Sequence, residues 1–215
     1  MIPAARFLVV LDADSTLIEN EVIELLADAA GSLALVAEVT DRAMRGELDF
    51  ADSLRERVAT LAGLSTDVFA EVGELIRPTP GVHALISGLH AGGSRIGVVS
   101  GGFHELLDPL AATLGLDHWR ANRLEVRDGR LTGGLVGPII DATAKAHALT
   151  EWAALDGIDL CSTVAVGDGA NDLTMMRVAG LGVAFNAKPI VRRSADLAIG
   201  SVDLSQVLPL LGLRG

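Results

Sequence analysis

The chain has 215 residues, half of them hydrophobic and 21% charged, which is the composition of a folded globular protein. Its formal net charge of −11 disfavours nucleic acids and anionic membranes as partners. The single cysteine excludes an intrachain disulfide, and no apolar run approaches the length of a transmembrane helix. We therefore expect a cytoplasmic protein that binds neither nucleic acid nor membrane.

Four short aliphatic runs predict strands that are buried on both faces. They are residues 7–11, 96–99, 163–166 and 181–185. Segments of helical length separate them, so the sequence predicts an α/β protein with a mainly parallel, Rossmann-like sheet sandwiched by helices. Ligands of such sheets bind at the carboxyl ends of the strands.

The connection between the first two strands is far longer than a crossover needs, about eighty residues against roughly 10–12. We predict five helices in it, at residues 20–30, 33–46, 50–61, 67–76 and 82–90. The first four would form a helical cap domain of residues 17–79, inserted into a catalytic core of residues 1–16 and 80–215. A small β-hairpin is predicted over residues 123–136, with its turn at Asp128 and Gly129.

Polar residues and glycines follow three of the predicted strands. Asp12 and Asp14 follow the first strand, Ser100 and Gly101 the second, and Asp168 the third. Because these strand ends meet at one edge of a parallel sheet, we expect the side chains to converge there. A hydroxyl with closely approaching backbone amides could cradle a phosphate, although Ser-Gly-Gly is also an ordinary strand-to-helix turn.

The aspartates suggest phosphoryl chemistry with a divalent cation. A carboxylate can attack phosphorus and form an aspartyl phosphate, which is the role we assign to Asp12. Asp14 could serve as general acid and then as general base, because burial and a neighbouring like charge raise a carboxyl pKa. Asp168 and Asp172 offer the oxygen ligands that Mg²⁺ prefers. Each aspartate taken alone could instead cap a turn or a helix.

Four motifs resemble those of haloacid dehalogenase-type phosphatases and follow one another in the same order. They are residues 12–16, residues 100–102, Lys145 and residues 167–172. Three further segments resemble the phosphoserine phosphatase family within that superfamily, namely residues 21–26, 44–50 and 180–189. The resemblance covers nearly the whole chain.

The resemblance implies a role for each motif residue. It implies a Mg²⁺ cofactor whose ligands are Asp12, the backbone carbonyl of Asp14, Asp168 and, through water, Asp172. It also implies that Lys145 pairs with Asp12 and with the phosphate. Asn171 would orient the phosphate.

Two charged residues of the predicted cap fall inside apolar stripes at helical spacing, Glu21 beside Ile18 and Arg57 beside Leu54. They could form a buried salt bridge or extend to water. They could instead receive a zwitterion, with Glu21 binding an ammonium and Arg57 a carboxylate, which is the reading that the resemblance favours. Met44 and Phe50 would cover the site and exclude water, or are ordinary core residues.

The expected activity is Mg²⁺-dependent hydrolysis of O-phospho-L-serine through an Asp12 phosphoenzyme, the last step of serine biosynthesis. A phosphatase for another small phosphomonoester, such as phosphothreonine or homoserine phosphate, would share the core residues and differ in the cap. A receiver-like phosphoacceptor module is a further alternative, but it normally lacks both the helical cap and an aspartate at the position of Asp14. The partner expected is a small-molecule phosphomonoester, and the sequence is compatible with a homodimer.

Overall fold

The computed structural model describes residues 6–213 and is built around one seven-stranded sheet. The strands are β1 (Leu8–Leu11), β2 (Arg95–Phe103), β3 (His118–Arg127), β4 (Arg130–Val136), β5 (Thr163–Gly167), β6 (Leu181–Phe185) and β7 (Leu197–Ile199). Their order across the sheet is β4-β3-β2-β1-β5-β6-β7. Every neighbouring pair is parallel except β3 and β4. The α/β class with a mainly parallel sheet is confirmed.

Ten α-helices lie within the described residues, nine of them between strands and the last after β7. They are α1 (Val22–Ala29), α2 (Leu33–Met44), α3 (Phe50–Ala59), α4 (Val68–Gly73), α5 (Val82–Ala91), α6 (His104–Leu114), α7 (Ala142–Asp156), α8 (Leu173–Val178), α9 (Pro189–Ser194) and α10 (Val207–Leu210). Over residues 6–213, no helix combines the length and the apolarity that crossing a membrane requires.

The central strand β1 explains how helices come to cover both faces of the sheet. All four of its residues are fully buried, and successive side chains point to opposite faces. Val9 and Leu11 pack in the hydrophobic cluster that includes residues of α5, α6 and α10. Leu8 and Val10 pack in the second cluster, with residues of α7, α8 and α9. The continuous apolar run in the sequence is thus the consequence of burial on two sides.

Helices α1 to α4 belong to the connection between β1 and β2. The linker before α1 and the linker after α4 are hydrogen-bonded to each other. The backbone amide of Glu19 donates to the carbonyl of Arg77 at 2.9 Å, and that of Thr79 donates to Leu17 at 2.9 Å. These two linkers lie at the predicted junction of cap and core. Their pairing also shortens the first predicted helix, because Ile18 is extended and bridges to Pro78, and α1 starts only at Val22.

The predicted hairpin is present, and both of its strands belong to the main sheet. Residues 118–122, which we did not predict as a strand, extend its first arm into β3 and pair with β2 in parallel. Its second arm, β4, contacts the cap, since the Gly63 amide donates to the Leu131 carbonyl at 2.8 Å and Leu131 donates to Leu64 at 2.9 Å. The hairpin therefore links the sheet to the base of the cap.

Candidate active site

The site is centred on Asp12, the first residue after β1. The register places Leu11 opposite Val98 of β2 and Val166 of β5, so Asp12 emerges between two flanking strand ends. Its backbone amide donates to the Val166 carbonyl at 2.9 Å, and its Oδ1 accepts from the Ala13 amide at 2.6 Å. The carboxylate is therefore held in one orientation at the carboxyl edge of the sheet.

Lys145 lies behind Asp12 as a fully buried cation between two buried carboxylates. Its Nζ is 2.7 Å from Asp12 Oδ2 and 2.7 Å from Asp172 Oδ1. Helix α7 presents it, and Asp141 caps that helix by accepting from the Ala144 amide at 2.8 Å. Burial alone would lower the pKa of Lys145, but the two carboxylates outweigh it and hold the pKa above its ordinary value.

The carboxylates carry more negative charge than one lysine balances. Burial, followed by the charge of Asp172, raises the pKa of Asp12 well above its usual range although Lys145 opposes this. Burial, Asp172 and Glu21 likewise raise the pKa of Asp168 to about 6. Oxygens of Asp12, Asp168 and Asp172 lie within 4.8 Å of one another. Three converging carboxylate oxygens with uncompensated charge are a donor set that fits a hard divalent cation.

Hydrogen bonds hold the loop that carries Asp168 and Asp172 in place. Asp172 Oδ2 accepts from the Gly169 amide at 3.0 Å, which folds residues 169–172 into a tight turn after β5. Thr16 Oγ1 donates to Asp168 Oδ1 at 3.4 Å and so joins this loop to the turn after β1. The two strand ends are therefore held together independently of any bound ion.

Asp14 occupies a different environment from Asp12, although only one residue separates them. Residues 13–17 form a tight turn in which Ser15 has the left-handed φ of +56°. This turn points Asp14 into the cavity, where its Oδ1 is buried without a hydrogen-bond partner among the described residues. Burial, reinforced by the charge of Glu21, raises the pKa of Asp14 to about 8. Such a carboxyl holds a proton near neutral pH, as a general acid must.

The glycine-rich segment lies at an irregularity within β2, whereas we predicted that it follows this strand. The pairing of β2 with β3 shifts register between Val99 and Phe103, and within that shift Ser100 Oγ accepts from the Gly102 amide at 2.8 Å. A Cβ on Gly101 would lie only 2.9 Å from Phe50 Cζ, so the cap packs directly against this glycine. Ser100 is buried and is not on the cavity wall.

A buried asparagine that we did not predict supports this segment. Asn122 Nδ2 donates to the Gly101 carbonyl at 2.8 Å, and Asn122 Oδ1 accepts from the Ile140 amide at 2.8 Å. Asn122 thus joins the glycine segment to the chain entering α7, the helix that carries Lys145. In the sequence it is an ordinary polar residue, because only the parallel pairing of β3 brings it beside β2.

The cap contributes a pair of opposite charges to the same cavity. Glu21, just before α1, is exposed to the cavity and accepts from Ser15 Oγ at 2.7 Å. Arg57 of α3 donates to the Ser53 carbonyl at 3.2 Å, and within residues 6–213 no carboxylate lies within 4 Å of its guanidinium. The alternative of a buried Glu21–Arg57 salt bridge is therefore wrong, and the two charges face the cavity separately.

The cavity has a volume of about 210 Å³. Its wall is formed by residues from both the core and the cap: Asp12, Asp14, Glu21, Ile23, Thr40, Phe50, Leu54, Arg57, Gly101, Gly102, Asp168, Gly169, Asn171 and Lys188. Lys145 and Asp172 lie behind this wall, in contact with Asp12 and Gly169. Most of the residues that we expected to bind substrate thus border the same cavity.

Met44 does not fit the prediction that it covers the site. It is the last residue of α2, is 71% exposed and does not border the cavity. The helix ends there, and the chain turns at Arg45 and at Gly46, whose φ is +78°, which leaves the Met44 side chain in solvent. Lys188 borders the cavity although we did not predict it as a site residue.

Comparison with known proteins gives one family. The model of the haloacid dehalogenase-like hydrolases matches residues 9–177. A phosphoserine phosphatase of Streptomyces coelicolor is 55% identical over 209 residues, which are 97% of this chain and 51% of that protein. A phosphoserine phosphatase of Streptococcus thermophilus is 50% identical over 204 residues, 95% of each chain. The chain therefore spans about half the length of the first relative and nearly all of the second.

Solved structures agree with this assignment. One described as a phospho-aspartyl intermediate analogue of phosphoserine phosphatase has a TM-score of 0.90 and 42% identity to this chain. The alignment covers 96% of this chain and 99% of that one. The core and the helices over it therefore share one arrangement with that enzyme.

Proposed function

Since the chain belongs to the haloacid dehalogenase-like hydrolase family and, within it, to the phosphoserine phosphatase family, we propose that it hydrolyses O-phospho-L-serine to L-serine and inorganic phosphate. The observation that carries the proposal is the cavity itself, which has a nucleophile with acid–base chemistry at one end and separated opposite charges at the other. Phosphoserine has a matching layout, with a phosphate at one end and an ammonium and a carboxylate at the other.

In the first step Asp12 attacks phosphorus. A bond forms between a carboxylate oxygen and phosphorus, the bond from phosphorus to the seryl oxygen breaks, and Asp14 gives its proton to that oxygen. The turn at residues 13–17 and the amide of Ala13 hold the two carboxyl groups in separate orientations. The similar structure with an analogue of the phospho-aspartyl intermediate supports this covalent step.

In the second step water takes the place that serine leaves. Asp14, now a carboxylate, removes a proton from water, and the hydroxide attacks phosphorus. The bond between phosphorus and the Asp12 oxygen breaks, which regenerates the carboxylate and releases inorganic phosphate. Lys145, 2.7 Å from Asp12, balances the negative charge of the departing carboxylate.

We propose Mg²⁺ as the cofactor, held by Asp12, Asp168 and the backbone carbonyl of Asp14, with Asp172 acting through water. The clustering of three of these carboxylates supports the site. When bound, Mg²⁺ would lower the repulsion between the anionic nucleophile and the phosphate. Asn171, at the cavity wall, orients the phosphate in the proposal, and the amide of Gly101 approaches it.

Specificity in this proposal comes from the cap. Glu21 receives the substrate ammonium, and Arg57 receives its carboxylate by a bidentate contact. Burial lowers the pKa of Arg57 although Glu21 and Asp14 oppose this, as expected of a partly desolvated cation that has no ion-pair partner within residues 6–213. Phe50 and Leu54 form the apolar wall between the two ends of the cavity and exclude water from the reacting centre.

The wider assignments follow from the same proposal. Residues 17–79 act as a cap domain over the core, the enzyme works in the cytoplasm at the last step of serine biosynthesis, and the functional unit is a monomer or a homodimer. The acidic net charge supports a role apart from nucleic acid and anionic membranes.

A substrate panel tests the activity. With Mg²⁺ present, we expect kcat/KM for phosphoserine to exceed that for phosphothreonine, homoserine phosphate and a neutral sugar phosphate. Glu21→Gln and Arg57→Met should each raise KM for phosphoserine about tenfold or more, and should leave turnover of p-nitrophenyl phosphate within about twofold. A preference for the sugar phosphate would refute the cap assignment and leave a phosphatase of another specificity. Stable phosphorylation of Asp12 without turnover would favour the receiver-like module.

A further inference from the structure

The distribution of lysine in this chain is unusual. There are two lysines among 17 basic residues, and the other 15 are arginines scattered along the sequence. Both lysines are at the proposed active site: Lys145 is buried against Asp12, and Lys188 is exposed at the cavity wall. The proposed mechanism uses Lys145 and leaves Lys188 without a role.

The backbone around Lys188 is fixed next to the loop that carries Asp168. Asn186, at the end of β6, has a left-handed φ of +43° and donates its amide to the Ile199 carbonyl at 3.0 Å. The Lys188 amide points to the Asp168 carbonyl at 3.4 Å, and Pro189 starts α9 immediately afterwards. The side chain of Lys188 therefore projects from a constrained turn at the catalytic end of the cavity.

The charges on the cavity wall suggest a role for Lys188 in binding an anion. Four carboxylates border the cavity, those of Asp12, Asp14, Glu21 and Asp168, and the whole chain is acidic. Against them, the part of the chain that the structure describes puts two cations on the wall, Arg57 on the cap and Lys188 on the core. Carboxylates at the catalytic end repel an incoming phosphate dianion, and among residues 6–213 Lys188 is the solvent-accessible cation on that part of the wall.

We propose that Lys188 is a substrate-binding residue that draws the phosphate dianion into the cavity and contacts it on the side of Asp168. The inference rests on the proposed function only in that the ligand is a phosphomonoester, whatever its alcohol. The charge of Lys188 already reaches Asp168, whose pKa it lowers against the larger effects of burial and of Asp172. A primary ammonium on a flexible stem suits this task, because it can follow the phosphate during entry.

Two substitutions and a matched control test the proposal. Lys188→Gln removes the charge, Lys188→Arg retains it, and Arg193→Gln removes one charge from exposed α9 away from the cavity wall. We expect Lys188→Gln to raise KM about tenfold with kcat within about threefold, Lys188→Arg to recover most of the loss, and Arg193→Gln to match the parent. The KM of the parent should also rise more steeply with salt than that of Lys188→Gln.

A binding measurement tests the role of Lys188 separately from the proposal that phosphoserine is the substrate. Calorimetry with inorganic phosphate in the presence of Mg²⁺ requires no turnover, and Lys188→Gln should weaken phosphate binding about tenfold. If the enzyme prefers another phosphomonoester but this loss is seen, the substrate proposal fails and the role of Lys188 stands. Equal phosphate affinity in Lys188→Gln and the parent overturns the role of Lys188, as does an equal loss in Arg193→Gln.

Discussion

Replacing Lys145 by Met should destabilise the fold more than any other single loss of charge at this site. The substitution removes an ammonium that is 2.7 Å from both Asp12 and Asp172, whose side chains are 8% and 0% exposed. Among the described residues, Asp12 would then keep one backbone donor, the Ala13 amide, and Asp172 would keep one, the Gly169 amide. Two like charges would then face each other in a medium that solvates neither of them.

The expected size follows from the bonds that are lost. A hydrogen bond to a charged group contributes about 1.5–3 kcal/mol, and breaking one side of a buried ion pair costs about 3–5 kcal/mol. With two such bonds lost, we expect the free energy of unfolding to fall by about 4 kcal/mol. For a chain of this size that corresponds to a decrease in Tm of about 8–16 °C.

Urea and thermal unfolding, followed by circular dichroism at pH 8 with EDTA, measure this change. EDTA keeps a divalent cation from replacing the ammonium, and the alkaline pH disfavours a proton shared between the carboxylates. Lys188→Met is the matched control, since it removes the other lysine from an exposed position and should change stability by about 0.5 kcal/mol or less. A loss below about 1 kcal/mol in Lys145→Met would refute the reasoning that this cation holds the buried carboxylates together.

Three further changes test the site directly. Asp12→Asn should lower turnover by at least about 10⁴-fold and leave the circular dichroism spectrum unchanged, because it removes the nucleophile and keeps the shape; trapped radiolabelled phosphoenzyme in this variant would contradict the assignment. Asp14→Asn should slow both formation and decay of the phosphoenzyme about 10²–10⁴-fold in single-turnover experiments, and decay at the parental rate would show that Asp14 is not the base. Asn122→Ala should lower the free energy of unfolding by about 2–3 kcal/mol and also weaken phosphate binding, because it leaves the Gly101 carbonyl and the Ile140 amide unpaired; a stability loss with intact phosphate affinity would confine Asn122 to a structural role.

The parts of the fold that could be predicted are those with a strong local signal. Strand β1 is buried on both faces, so its sequence is continuously apolar and followed abruptly by aspartates. Strand β7 has only three residues, two of them exposed. Strand β3 begins with His118 and Trp119, whose side chains are hydrogen-bonded to Asp156 and Asp108. Neither has the apolar run or the alternation that marks a strand, because each owes its conformation to pairing with a neighbour.

The same distinction applies to the site. The aspartates after β1 and β5 could be predicted because charge directly after a buried strand is rare and costly. Helical spacing alone placed Glu21 on a helix, but pairing of the linker with residues 77–79 holds it just before α1. Asn122 and Lys188 could not be found from their own surroundings in the sequence, since their importance comes from elements far away in the chain.

The geometry also explains how two carboxylates one residue apart can do different work. Lys145 opposes the rise in the pKa of Asp12 that burial causes, and the Ala13 amide orients the carboxylate that we propose as the nucleophile. Asp14 is compensated less: its buried Oδ1 has no partner among residues 6–213, and burial and the charge of Glu21 outweigh the opposing effects of Lys145 and the Val22 amide on its pKa. Glu21 therefore acts on both ends of the reaction, because the carboxylate proposed to bind the ammonium also helps to keep Asp14 protonated. Binding of the ammonium would neutralise Glu21 and weaken that effect, which makes Asp14 a stronger acid when the correct substrate fills the cavity.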